Sequence, residues 1–441
     1  MLPSVVFALC LSLLGSARGA DALSFDDALA KHENTTTLRD QLRDVFPDLH
    51  RRLRAASSSN PVTFLAPSND AFAKTVYYPV VGPAFSNNDE ASLEMQSAIM
   101  TYHVVLGKHT SDTLLPTFQY FPTWLNNATY SNVTGGQRIG GVMQREEEMI
   151  WTSGIANRSP VTVADIEFEG GVIHIVDSLA VPPQHFPDTA ITHSTAAEPF
   201  QLTSFLGATY FSPTEDKASN LSRFLNDTTD LTIFAPNNVA LERVASALSA
   251  MSKTPSTLAD LLEFHIVRSS NGPYYSTNLT NTTTLTTING KQITVTLNSN
   301  SLFADSARVI TPDLLILNGV MHVIDAVLSP NVTDVDPNPK LATASPLLST
   351  NADFSTSQAP FTTFAPNVRL LPEPTPTDVV GDGSGDGTGS SRTSRTGSPN
   401  GVSTGVAGSA ASTVVAESRF GIAVAAYLVL SAAIGAAALM A

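Results

Sequence analysis

Cysteine is almost absent from the chain. The single one, Cys10, lies in an apolar leader expected to be removed, which leaves no disulfide framework, thiolate metal site or cysteine nucleophile. Positive charge is also scarce: 24 Lys and Arg face 39 Asp and Glu, a formal net charge of −15. No basic stripe is available to neutralise phosphates, and no polybasic patch to dock on anionic lipid, so nucleic acid is not an expected partner. H-E-x-x-H, P-loop and dinucleotide glycine patterns are missing too. The Gly-rich run around Asp382 and Asp386 lacks the closing Glu of a calcium loop. No catalytic residue, metal or cofactor is therefore expected. Hydrophobic residues make up 42% of the chain, enough for real cores held by burial alone.

What the chain does have is a phrase stated twice. Residues 63–72 read T-F-L-A-P-S-N-D-A-F, and residues 231–241 read L-T-I-F-A-P-N-N-V-A-L. Each is followed by an aromatic–His pair, Tyr102-His103 and Phe264-His265. Each then closes on an apolar run carrying His and Asp: G-G-V-I-H-I-V-D-S-L-A-V-P (170–182) and N-G-V-M-H-V-I-D-A-V-L-S-P (318–330). Three boxes in one order mark a tandem duplication, with units long enough to be domains. In the first box, Thr63, Phe64 and Ala66, and again Thr232, Phe234 and Ala235, suit a short buried strand. Pro67 and Pro236 lack an N–H, so the ladder must end there. Asn69 and Asp70 offer side-chain oxygens for a helix start.

These boxes resemble the fasciclin domain, an α+β module of surface and matrix proteins. The resemblance implies an α+β fold: two tandem domains of twisted β-sheet with flanking helices, followed by a disordered Ser/Thr/Pro/Gly-rich stalk. Its family motif carries over as structural residues, namely Thr63, Phe64, Ala66, Pro67, Asp70, Tyr102, His103, His174 and Asp177 in the first copy. In the second copy they are Thr232, Phe234, Ala235, Pro236, His265, His322 and Asp325. Copy two departs from copy one with Val239 in place of Asp70 and Phe264 in place of Tyr102. Integrin binding, implicated around the aromatic–His box of animal members, is not carried over, and no R-G-D occurs.

In chain order, residues 1–20 read as a signal peptide, 21–185 as the first domain and 198–332 as the second. A stripe from Leu38 to Leu53 predicts two helices split at Pro47, and residues 89–101 a further helix into Tyr102. Glu146, Glu147 and Glu148 suit a solvated turn. Ile288-Asn289-Gly290-Lys291 predicts a hairpin with Ile293, Val295 and Leu297 on one face. Copy one is longer than copy two between its boxes, a difference assigned to surface loops. Nine sequons, at Asn34, Asn127, Asn132, Asn157, Asn220, Asn226, Asn278, Asn281 and Asn331, predict N-glycosylation at exposed positions. Residues 333–419 read as a disordered, O-glycosylated stalk, within which F-T-T-F-A-P-N (361–367) echoes the first box as a chance match or a repeat remnant, with a strand docking on a neighbour as the alternative. The apolar tail at 420–441 follows small residues and a short spacer, the pattern of a glycosylphosphatidylinositol signal with attachment at Ser409; a transmembrane anchor is the alternative.

His174/Asp177 and His322/Asp325 are spaced i, i+3, which on a strand sends the two side chains to opposite sides. A hydrogen-bonded structural histidine is the expected role for both, and for His103 and His265. The resemblance and the processing signals together imply a non-catalytic adhesion glycoprotein of the cell surface or matrix. Its expected partners are surface or matrix proteins, polysaccharides, or further copies of itself. The alternative place is the vacuole membrane, with a role in membrane fusion; a secreted hydrolase is the third class.

Overall fold

The computed structural model describes residues 23–366, apart from 79, 88, 145–147, 194–199, 212–217, 280–281, 333–334 and 349–358. The signal peptide, Glu146, Glu147, Asn281, Ser409 and the apolar tail lie outside the described residues.

The first copy opens with three helices, α1 (Phe25–Ala30), α2 (Thr36–Asp44) and α3 (Pro47–Arg54). Pro47 sits at the first turn of α3, where its missing N–H costs nothing, and thereby separates α2 from α3. The first box follows as strand β1 (Val62–Pro67) and helix α4 (Asn69–Ala73). The cap is not Asn69 or Asp70: Ser68 accepts the Ala71 amide at 3.1 Å. Asn69 instead reaches across to α2, its Oδ1 accepting the Thr37 amide at 2.9 Å. The second copy repeats both contacts with Asn237, which accepts the Ala240 amide, and Asn238, which accepts the Ser204 amide.

Helices α5 (Gly82–Ser86) and α6 (Glu90–Tyr102) lead into β2 (Val104–Leu106), β3 (Gln119–Pro122), β4 (Arg138–Met143), β5 (Met149–Thr152), β6 (Arg158–Phe168) and β7 (Gly171–Val176). The sheet order is β2-β1-β7-β6-β5-β4-β3, with β1 and β7 parallel and every residue of both buried. An isolated bridge between Val105 and Thr123 brings the two ends of the sheet together, so the sheet is nearly closed and offers little free edge. Two cores form on its faces, one led by Phe25, Leu38, Leu53 and Phe64 against the helices, the other by Leu65, Tyr102, Ile139 and Trp151 inside the sheet.

The second copy has α7 (Phe186–His193), α8 (Thr203–Tyr210), α9 (Ala218–Asp227), β8 (Leu231–Pro236), α10 (Asn238–Arg243), α11 (Ala245–Met251) and α12 (Pro255–Glu263). Its remaining strands are β9 (Ile266–Arg268), β10 (Thr283–Thr286), β11 (Gln292–Asn298), β12 (Ser301–Ala304), β13 (Ala307–Ile316) and β14 (Gly319–Ile324). Their order, β10-β11-β12-β13-β14-β8-β9, mirrors the first sheet, and a Val267–Thr287 bridge closes it in the same way. The hairpin at Asn289-Gly290 forms as β10–β11, with Ile293 and Val295 buried. Leu297, expected on that inner face, is 41% exposed because the strand's end runs out beyond the core.

The packed chain continues past the boundary expected at 332. The Ala344 amide donates to Asp325 at 2.9 Å, and Arg308 Nη2 donates to the Pro339 and Leu341 carbonyls. Residues 359–366 then lie against α8 as a short turn, where Phe361 and Phe364 meet Phe211 and the Ser204 hydroxyl donates to the Pro360 carbonyl. The echo of the first box is therefore a docked strap rather than free stalk, and it is not a strand. Polar composition hid this, because a few aromatic side chains and satisfied carbonyls suffice to fix a short segment on an existing surface.

The two copies also touch. Tyr120 and Tyr275 stack at 4.6 Å with an interplanar angle of 18°, and the Asp230 carboxylate accepts both the amide (2.8 Å) and the hydroxyl (2.5 Å) of Thr134. Gln137 Nε2 donates to the Leu317 carbonyl at 3.0 Å, and the Leu317 amide donates to Gln184 in the connection.

Candidate functional site

The three boxes meet around two pairs of histidines. His103 ends α6: its Nε2 accepts the Ala180 amide at 2.9 Å, so Nδ1 carries the proton and donates to the Ile99 carbonyl at 2.7 Å. His265 does the same with Leu328 (2.9 Å) and Leu261 (2.8 Å). Both rings are fully buried, and burial pushes each histidine down to about 4. A neutral imidazole with both nitrogens engaged has no lone pair left for a proton or a metal.

His174 and His322 form the second pair. Nδ1 of His174 accepts the Asp165 amide at 3.2 Å, and Nε2 donates to the His109 carbonyl at 2.8 Å. Burial lowers the His174 pKa. His322 takes the Asp313 amide at 3.2 Å and donates to the Tyr274 carbonyl at 2.9 Å. The first-box threonines complete the grip. Thr63 Oγ1 accepts the His109 amide at 2.8 Å, and Thr232 Oγ1 accepts the Tyr274 amide at 2.8 Å. One threonine and one histidine thus hold the N–H and the C=O of a single loop residue in each copy.

The aspartates paired with these histidines are not the ones three residues on. Asp177 faces away and forms an ion pair with Lys74 at 2.6 Å. Asp325 accepts the Arg308 and Ala344 amides, and burial raises its pKa. Asp165 and Asp313 instead sit at irregularities in β6 and β13, both at φ 59°, and their carboxylates bind the amide and hydroxyl of Ser111 and Ser276. Sequence reading missed these four residues. The signal was an Asp interrupting an apolar strand run, A-D-I at 164–166 and P-D-L at 312–314.

The remaining motif residues are placed as follows. Phe64, Ala66, Phe234 and Ala235 are buried in the parallel pairs, and Pro67 and Pro236 end them. Tyr102 is buried and its hydroxyl donates to the Arg138 carbonyl at 2.7 Å, while Asp70 is exposed on α4. Among the sequons, Asn34, Asn127, Asn278 and Asn331 are exposed. Asn132, Asn157 and Asn226 are half-buried, with Asn157 Nδ2 donating to the Leu179 carbonyl at 2.9 Å.

Among the described residues, no group of three or more His, Cys, Asp or Glu could hold a metal ion, and no helix is long and apolar enough to cross a membrane. A depression of about 220 Å³ beside α1–α3 is lined by Asp26, Leu29, Arg39, Arg43 and His50, smaller than the roughly 300 Å³ of a typical ligand site. Two of its lining side chains already have partners, His50 Nε2 with Asp26 at 2.6 Å and Arg43 with Asp40 at 2.8 Å. A G-V-S-T-G stretch at 401–405 has the spacing of a serine-hydrolase elbow, but it lies in the Ser/Gly-rich segment outside the described residues.

A doubled, nearly closed sheet with helices packed beside it, pinned at the same three boxes, defines the class. The fasciclin domain profile matches residues 33–182 and 201–330, and the chain belongs to the fasciclin domain family. It is 31% identical over 278 residues to a fasciclin-like arabinogalactan protein of Arthroderma benhamiae, covering 63% of this chain and 61% of that one. It is 27% identical over 322 residues to the fasciclin-like arabinogalactan protein CTB11 of Cercospora beticola, covering 70% and 77%. Among solved structures, a FAS1 domain pair from the insect cell adhesion molecule fasciclin I covers 69% of this chain and 98% of its own, at 17% identity and a TM-score of 0.31.

Proposed function

We propose that the chain is a cell-surface or matrix glycoprotein that acts by non-catalytic contact, its domain pair held away from the membrane on a glycosylated stalk and lipid-anchored at Ser409. The observation that carries this reading is the fate of the polar boxes. The groups that recur in both copies are spent on internal hydrogen bonds, which leaves exposed faces rather than a reactive cleft to meet a partner. The relatives named as fasciclin-like arabinogalactan proteins support a glycosylated surface role. Single contacts between such faces would be weak, and many copies on one membrane would strengthen them by avidity.

Phosphatidylinositol-specific phospholipase C treatment of intact cells, with blotting of the supernatant for the ectodomain, tests the anchor and the surface location together. Release is expected, and beads coated with the released ectodomain should aggregate or bind cell-wall material. A protein that resists both the enzyme and surface labelling, and that keeps residues 420–441, would overturn the surface reading in favour of an internal membrane.

A further inference from the structure

The joint between the two domains contains a sequon. Asn132, Val133 and Thr134 form N-V-T, and the side chains and amides of Asn132 and Thr134 reach the second copy, while the Val133 and Thr134 carbonyls stay with Gly136 and Arg138 of the first. The Asn132 amide donates to the Leu317 carbonyl at 2.9 Å, and its Nδ2 donates to the Asp227 carbonyl at 3.2 Å. Thr134, whose hydroxyl completes the sequon, spends that hydroxyl and its amide on the buried carboxylate of Asp230. Nδ2 is the atom to which an N-glycan is joined, and here it lies against domain-two backbone. Asn127, five residues earlier on the same loop, is exposed and has only a local contact, its Oδ1 accepting the Thr129 amide at 3.0 Å.

We propose that a glycan on Asn132 and the docked arrangement of the two domains exclude each other, so that occupancy of this sequon decides whether the pair is rigid or jointed. The proposal rests on the secretory reading above. The first sugar would start from the nitrogen that now faces Asp227 and would stand where α9 and the Asp230 turn must come. Order of synthesis makes the choice a real one. Domain one, with Asn132, emerges before Asp227 and Asp230 exist, so a sugar added then holds the joint open. If transfer fails, docking takes the threonine hydroxyl and engages Nδ2 in a hydrogen bond to Asp227, which disfavours later transfer. With the joint open, the Asp230 carboxylate and the Leu317 carbonyl pass to water and the Tyr120–Tyr275 stack is lost.

Purified ectodomain is mapped by glycopeptide mass spectrometry and its amide hydrogen exchange is followed in peptides covering 131–138 and 313–318. N132Q supplies a sugar-free form, and protein made under a glycosylation inhibitor supplies a second that does not depend on that substitution folding well. The sugar-free forms are expected to protect both peptides, and the fraction glycosylated at Asn132 to exchange about tenfold faster or more in both. Equal protection with and without the glycan overturns the proposal, and so does equally fast exchange in every form. Asn127 is the internal control. If Asn127 is bare in the untreated protein, the secretory reading falls together with the proposal; if Asn127 is occupied and an occupied Asn132 remains protected, the proposal alone falls.

Discussion

The Nε2 of His103 lies 2.9 Å from the backbone nitrogen of Ala180 and accepts its hydrogen, which welds the end of α6 to the segment that follows β7. His265 and Leu328 form the same weld in the second copy. Both rings are held at about 4, well below the ordinary 6.5, because burial penalises the charged form. The unfolded chain therefore binds more protons than the folded one between about 6.5 and about 4. Stability should be flat above pH 7 and should fall as the pH drops through that window, by about 3 kcal/mol per histidine over its full width. Urea unfolding between pH 7.5 and 4.5 measures the slope. Substituting His103→Gln should lower stability at neutral pH and flatten that slope; an unchanged slope in H103Q would show that this ring is not buried neutral.

Asp165 carries two duties at once. It holds a left-handed backbone conformation in β6, and its carboxylate takes the amide and hydroxyl of Ser111. Asp165→Ala loses both and should cost about 2–4 kcal/mol. Asp165→Asn tolerates the backbone and keeps one acceptor, so it should cost about 1 kcal/mol. A double-mutant cycle with Ser111→Ala should give a coupling of about 1 kcal/mol, and additive losses would mean that the two side chains do not interact.

How much of this was legible depended on the range of each contact. The helix break at Pro47, the β10–β11 hairpin and the strand–turn–helix reading of the first box rest on local chemistry, and the structure has them. Local chemistry misassigned the cap by one residue, because Ser68, Asn69 and Asp70 all carry suitable oxygens and only packing against α2 shows which is spoken for. The histidine network was half legible. His174 and His322 stood out, and the strand reading rightly kept Asp177 and Asp325 away from them, but their partners Asp165 and Asp313 depend on strand irregularities, and His109 and Tyr274 on loops far along the chain. Nothing in the composition of 335–348 or 359–366 separates them from the stalk, since their order comes from the domain surface they lie on.

The strap should be removable without unfolding the domain. A Cβ at Gly207 would overlap the Phe361 carbonyl, which rests directly on α8. Gly207→Ala should lift residues 359–366 and free the backbone around Phe361 and Phe364, so that chymotrypsin cuts there about tenfold or more faster than in the parent, while domain-two stability falls by only about 1–2 kcal/mol. An unchanged cleavage rate would mean that the strap is not seated on this face in solution.

Close backbone approach makes the strongest local prediction. Gly171 opens β7 opposite Val62, and Gly319 opens β14 opposite Leu231. A Cβ at either would run into the facing carbonyl, of Val62 or Leu231, at the first pair of a fully buried parallel ladder. Gly171→Ala and Gly319→Ala should each cost about 3 kcal/mol or more, since relief requires shifting a buried strand. Gly290 is the comparison: its φ is +84° but nothing lies within 4 Å, so Gly290→Ala meets only backbone strain, about 1 kcal/mol. Calorimetry of the ectodomain reads all three. G171A and G319A should depress the melting of the domain that carries them, far more than G290A does. Gly171 also lies at φ +147°, so G319A isolates the close approach, and an effect of G319A no larger than that of G290A would mean that the facing strand yields.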